Sequence, residues 1–346
     1  MAPRSAFLLV SFGGPEGPDD VLPFLRNVTA GRNVPESRLA EVAGHYYRFG
    51  GVSPINAQCR DLVAAIEKEF AAEGPGLPVY WGNRNWRPYL ADTMRAMAAG
   101  GIERVVAFAT SAYSSYSSCR QYLEDIDAAR AGAGPAAPQV IKIPPYCLHP
   151  AFIACFTDAV STALATLPAG LADEADLVFT AHSIPMAMSA ASGPAGGAYP
   201  AQLAEVARLV AAGAGRSSWQ LAYTSRSGPP AVPWLEPDLG ECLAGLARSG
   251  SRAVCLVPIG FVSDHMEVMF DLDVEAAQTA GTLGLALARA ATPGTDPRFV
   301  RMIAELAREH EAGGGLAEAA GQDRAPLCAA GCCGSGAARP AGRARS

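Results

Sequence analysis

Lysine is almost missing from this chain: Lys68 and Lys142 are the only lysines among 27 basic residues in a length of 346. With arginine carrying nearly all the positive charge and Ala, Gly and Pro abundant, the bias is compositional, so an arginine here carries less functional weight than usual. Acids number 33 and the net charge is −6. That leaves no basic excess to neutralise phosphate and excludes a nucleic-acid binder of the usual electrostatic kind. Charged residues make up only 17% against 50% hydrophobic ones, the opposite of a disordered chain. No apolar run reaches the ~18 residues that read as a membrane span, and the start MAPRSAFLLVSFGG has no long apolar stretch ending in a cleavage site. These absences predict a cytoplasmic protein without a transmembrane segment. At roughly 100–200 residues per domain, the length predicts two domains.

Nine cysteines are present. Six of them (Cys59, Cys119, Cys147, Cys155, Cys242 and Cys255) are scattered singly, which argues against a disulfide framework. Cys328, Cys332 and Cys333 instead crowd into a Gly/Ala-rich tail, 313–346, that has no apolar period of its own. The crowding needs a reason.

Short apolar runs at 6–11, 79–82, 105–109, 177–180, 220–224 and 253–258 predict strands, and helical segments such as 57–72 and 201–212 separate them. Such alternation predicts an α/β fold with parallel sheets and ligands at the strand ends. The pattern runs twice. The first set of strands is expected to end near Tyr116 and the second to begin near Val140, with an N-terminal lobe over 1–145, a C-terminal lobe over 146–296, and helix 297–312 packing back on the first lobe.

Four segments carry chemistry. FTAHSIP places His182 at the end of an apolar run, where an imidazole faces a cleft and can take a proton or bind a metal, although a single histidine is more often structural. PIGFVSDHMEVMFDLDVEAA holds Glu267, Asp271 and Glu275 at i, i+4 and i+8, one face of a helix. Like charges at that spacing repel. The plain reading is a solvated helix start, but the flanking Met266, Val268, Met269 and Phe270 favour a half-buried path for a hard cation or for protons. Asp264 and His265 either join that site or cap the helix. The Gly-Gly-Pro turn in SFGGPEGPDD is neither a dinucleotide fingerprint nor a P-loop. HYYRFGGVSPIN and TSAYSSYSSCRQYLED add aromatics, hydroxyls and Arg48 and Arg120, a lining that suits a flat apolar ligand with carboxylate arms, although position by position such loops more often simply pack against and cap neighbouring helices.

In order and spacing, LLVSFGGPEGPDDV, FGGVSPI, YWGNRNWRPYL, FTAHSIP, AYPAQL, VPWLEPDL, PIGFVSDHMEV and DPRFVRMI resemble the ferrochelatases, which insert ferrous iron into a porphyrin in haem synthesis. The N-terminal half resembles actinobacterial members, which implies coproporphyrin III as substrate, with protoporphyrin IX as the alternative. The resemblance implies a chelatase fold of two similar Rossmann-like lobes, each a parallel four-stranded sheet flanked by helices. His182 and Glu267 match the catalytic, iron-contacting pair, and Asp271 and Glu275 match an acidic relay leading outward. Phe12, Arg32, Arg48, Ser53 and Tyr116 match segments lining the porphyrin pocket. Phe12 stands where some members have tyrosine, and Asn85 where some have histidine near an outer metal site. Some members carry a [2Fe–2S] cluster held by one internal cysteine and three near the C-terminus, which here implies Cys155 with Cys328, Cys332 and Cys333. A structural zinc on the same ligands, or a tail of unligated thiols, are the competing readings. Expected partners are the porphyrin and ferrous iron, with a transient contact to the next haem-pathway enzyme. The competing functions are a cobalt or nickel tetrapyrrole chelatase and a non-catalytic haem carrier or redox sensor.

Overall fold

The computed structural model describes residues 4–31, 34–228, 231–312 and 331–336. Among the described residues, eight strands form two four-stranded sheets. In chain order they are β1 (Ser5–Ser11), β2 (Val79–Asn83), β3 (Arg104–Ala109), β4 (Gln139–Lys142), β5 (Asp176–His182), β6 (Trp219–Thr224), β7 (Ala253–Val257) and β8 (Ala286–Arg289). One sheet has the order β2-β1-β3-β4 and the other β6-β5-β7-β8, so the second repeats the topology of the first. All pairings are parallel. β1, β3, β5 and β7 read as continuous apolar runs because helices cover both faces of each sheet, and almost every residue in them is buried.

The six strands expected from the sequence are all present. β4 and β8 are additional: each is a four-residue edge strand, only partly buried, so its apolar signal is weak. β4 also corrects the reading of Val140 as the start of the second set. Val140 pairs with Val105, so this strand completes the first sheet.

One apolar cluster runs through both lobes, and each sheet has a further cluster on its other side. The centre of the shared cluster is aromatic: Phe108 stacks on Tyr146 at 4.5 Å, and Phe152 meets Tyr146, Phe156 and Phe299 edge-on or tilted. Phe299 belongs to the helix Pro297–Ala312, which packs on β3 and the helix Ile55–Ala72 of the first lobe and on the helix Pro150–Leu164 of the second. Polar bonds reinforce the seam. The buried Tyr113 hydroxyl donates to the Ile259 carbonyl at 2.8 Å, and Gln202 accepts from the Ser114 amide at 2.8 Å while its own amide donates to Ser114 Oγ at 3.0 Å.

Two glycines set the strand ends. Gly13, at φ +82°, turns the chain after β1 so closely that a Cβ would sit 2.9 Å from Asn83 Cβ. Gly260 presses the turn after β7 onto β5, where a Cβ would stand 2.8 Å from Ala181 Cα, one residue before His182.

Candidate active site

His182 is the last residue of β5, at the carboxyl end of the sheet, as open α/β sheets place ligand-binding groups. Its Nδ1 contacts the Ser183 carbonyl, an acceptor that calls for a proton on Nδ1 and leaves Nε2 with the lone pair. The His182 carbonyl accepts from the buried Tyr199 hydroxyl at 2.9 Å, which anchors the strand end. Nε2 lies 3.6 Å from Glu267 Oε2, with His182 34% and Glu267 48% exposed at the side chain. An acceptor nitrogen and a carboxylate thus face each other with solvent access to both.

The acidic segment is helical, but it is not an α-helix throughout. Val268–Ala276 is a π-helix, whose i→i+5 bonding widens the turn. Such segments are frequent at functional sites. The carboxylates of Glu267, Asp271 and Glu275 interact in sequence along it. Burial, then the charges of Glu267 and Glu275, push Asp271 up to about 7, against the opposing hydrogen bond from Ser225. Ser225 holds that position from a strained backbone, at φ +60°. Behind the row opens a cavity of about 530 Å³ lined in part by Thr224, Ser225, Asp238, Asp271, Glu275 and Thr279. Among the described residues no three His, Cys, Asp or Glu side chains gather closely enough to hold one metal ion. The acids form a row and not a cage.

His265, next in the chain to Asp264, donates no side-chain proton to the row. Its Nδ1 accepts the Glu267 amide at 3.1 Å, and burial lowers its pKa. It therefore caps the turn that presents Glu267. Asp264 is engaged elsewhere, by Arg289 and Thr292.

The other residues expected in the pocket belong to the first lobe. Phe12 follows β1, is 36% exposed, and its carbonyl accepts from the Asn85 amide and side chain at 3.1 and 3.2 Å. The Arg84 guanidinium lies 5.8 Å from the Phe12 ring and 4.6 Å from that of Tyr122, and its charge is paired with Asp125. Arg48 stands 5.7 Å from the Phe270 ring, while His45, from the helix Glu36–Tyr47, stacks on that ring at 3.8 Å and so brings the first lobe onto the π-helix. Ser53 is buried against Gly14, its amide bonded to the Pro15 carbonyl at 2.9 Å. Tyr116 donates to Glu124 at 3.0 Å, on the helix Gln121–Ala133 that follows its own turn. Arg32 lies outside the described residues. The sequence reading missed Ser225, Tyr199, His45 and Arg289. Their partners are far along the chain, and no local spacing signals them.

The cysteines are arranged differently from the expectation. Cys332 and Cys333 are buried against Cys119, which lies in the π-helical turn Tyr116–Arg120 after β3. The Cys332 and Cys333 sulfurs are 3.7 Å apart, and Cys333 Sγ accepts from the Gly193 amide at 3.2 Å. Cys333 adopts φ +57° to make this turn. Cys155 is not brought to them. It sits in the main core beside Asp296 and Arg298, where burial pushes its thiol up to about 12. The internal cysteine at the tail is Cys119, because the described tail residues lie against the segment 187–193 and the π-helical turn, whereas the helix bearing Cys155 faces the Pro297–Ala312 helix. Cys328 lies outside the described residues.

The ferrochelatase family pattern matches residues 4–311. The coproporphyrin III ferrochelatase of Nocardia farcinica is 56% identical over 308 residues, 88% of each chain. That of Frankia alni is 57% identical over 311 residues, 88% of this chain and 79% of its own. Among solved structures, SirB from Bacillus subtilis with Fe3+ aligns with a TM-score of 0.56 at 10% identity, covering 89% of this chain and 98% of its own, a likeness of fold. With its parallel two-lobe architecture and a family match over nearly its whole described length, this chain belongs to the ferrochelatase family.

Proposed function

We propose that this protein inserts ferrous iron into coproporphyrin III to give coprohaem, in the cytoplasm. The observation that carries the reading is the His182–Glu267 pair, 3.6 Å apart at the end of β5 and followed outward by Asp271 and Glu275. Metallation exchanges one Fe2+ for the two pyrrole N–H protons, with no change of oxidation state. A site for it must accept protons and admit a dication. His182 Nε2 accepts protons on one side of the macrocycle. Glu267 receives the metal or the second proton, and Asp271, poised near neutrality, passes protons toward Glu275 and the cavity behind the row. Phe12, beside Arg84 and bonded at its carbonyl by Asn85, supplies a flat apolar face, and Arg48, Ser53 and Tyr116 are assigned to the same pocket. Arg32 is assigned with them to carboxylate contacts.

Coproporphyrin III is preferred over protoporphyrin IX because relatives with that substrate in their names are 56–57% identical to this chain. Anaerobic steady-state assays with Fe2+ and each porphyrin test both parts of the reading. Faster turnover with coproporphyrin III is expected. Preference for protoporphyrin IX would reverse the substrate assignment, and porphyrin binding without insertion would leave a carrier. A transient contact with the next enzyme of haem synthesis belongs to the same proposal.

We further propose that Cys119, Cys332, Cys333 and Cys328 hold a [2Fe–2S] cluster. Such a cluster takes four thiolates shared between two irons, so they need not meet at one point. Three buried sulfurs lie together here, and the Gly193 amide already donates to one of them, a kind of bond that tunes cluster potential. The group supplies one-electron chemistry that iron insertion does not use. Its thiol ligands tie the tail to the rim between the two lobes.

A further inference from the structure

Five carboxylates lie within twelve residues of the metal-handling segment: Asp264, Glu267, Asp271, Asp273 and Glu275. Two of them are occupied by one side chain. Arg289, the last residue of β8, donates from Nη2 to Asp264 Oδ2 at 2.9 Å and from Nη1 to Asp264 Oδ1 at 3.2 Å. The same guanidinium donates from Nε to Asp273 Oδ1 at 2.9 Å and from Nη2 to Asp273 Oδ2 at 3.2 Å. Thr292 adds a hydroxyl to Asp264 Oδ1 at 3.0 Å, so both Asp264 oxygens are engaged. The Asp264 amide in turn donates to Gln58 of the first lobe at 2.8 Å. Arg289 is only 21% exposed and Asp264 22%, which protects that pair from the screening that weakens surface ion pairs, while Asp273, at 38%, is nearer solvent.

We infer that Arg289 is a positioning residue for iron delivery: by fastening Asp264 and Asp273 it fixes the register of the π-helix and withdraws those two carboxylates from the set that can receive a cation, leaving Glu267, Asp271 and Glu275 as the row. The planar fork explains the choice of arginine. Lysine, a point charge with three donors, cannot hold both carboxylates in two fixed planes. Without the fork, the freed carboxylates become competing oxygen ligands for a hard dication. Iron would still bind, in the wrong place. The inference rests on the iron-inserting reading above, and the test separates the two.

Wild type, Arg289→Gln and Arg289→Lys are compared for iron insertion, and Co2+ binding is followed by absorbance with and without Asp271→Asn. Arg289→Gln is expected to lower kcat about ten-fold with the porphyrin KM unchanged, and Arg289→Lys to recover part of it. Asp271→Asn should weaken Co2+ binding in the wild-type background and have little effect in the Arg289→Gln background, where the cation moves to Asp264 and Asp273. Wild-type kcat in Arg289→Gln, or an equal effect of Asp271→Asn in both backgrounds, would overturn the inference. A joint fall of kcat, porphyrin affinity and melting temperature would reduce Arg289 to a structural role and overturn it too. If the wild type inserts no iron, the functional reading fails, and the cobalt comparison alone still decides the role of Arg289.

Discussion

The two lobes share one strand order but not one chemistry. β1 and β5 occupy the same place in their sheets, yet β5 ends in half-exposed His182, whereas β1 ends in Ser11, fully buried and bonded to Thr110 Oγ1 at 3.1 Å. β3 and β7 are likewise equivalent, and a π-helical segment follows each. After β7 that segment carries the carboxylates. After β3 it carries Cys119, turned to the tail. Proton acceptance and cation transit need groups that stay partly hydrated, because full burial would push a carboxylate to its neutral form. A flat ligand needs an apolar surface instead, and the first lobe offers the exposed Phe12 ring beside the charge-paired Arg84.

Substitution at the two strand ends gives the largest expected contrast. His182→Ala or Glu267→Gln should reduce insertion by about 10²-fold or more, the usual contribution of a general base, with porphyrin binding retained in a fluorescence titration. Phe12→Ala should instead weaken porphyrin binding and change kcat little. Near-normal turnover in His182→Ala would show that the lobes are not divided in this way.

The two π-helical segments are next. Cys119→Ser should remove bound iron and sulfide from purified protein, while Cys155→Ser should leave both in place. The opposite result would restore Cys155 as the internal ligand.

A smaller effect is expected at the seam. Tyr113→Phe leaves the buried Ile259 carbonyl without its donor and should cost about 1–3 kcal/mol in denaturant unfolding. No loss would mean that the apolar core alone joins the lobes.

A stability effect of at least comparable size concerns Asp271, whose pKa is raised to about 7, mainly by burial. In the unfolded chain the carboxyl ionises near 4, so between roughly pH 4 and 7 the native state holds a proton that the unfolded state has lost. Stability from this group is therefore full at low pH and is lost as pH rises through the native value. Asp271→Asn should match the wild type in melting temperature at pH 4 and exceed it by a few degrees at pH 8 in chelator-treated protein. Equal curves at both pH values would show that Asp271 is not poised.

Much of this protein was legible along the chain. Continuous apolar runs marked six of the eight strands, because strands covered on both faces must be apolar throughout. β4 and β8, short edge strands, gave no such run. His182 and the carboxylates at 267, 271 and 275 were readable because their setting is local: a strand end in one case, a helix face in the other. The tail showed in three crowded cysteines, but its internal partner did not, since nothing within the sequence ranks Cys119 above Cys155.

What the sequence by itself determined is what depends on neighbours in the chain: the α/β alternation, the strand that ends in histidine, and the spacing of the acids. What only the tertiary structure decided is which distant groups meet. It widened the acid helix into a π-helix, set Ser225 on Asp271, gave Asp264 and Asp273 to Arg289, and turned Cys333 toward Cys119. Each of these pairings spans well over a helical turn of sequence, or depends on a backbone bonding pattern fixed by surrounding packing. Local periodicity carries no information about either.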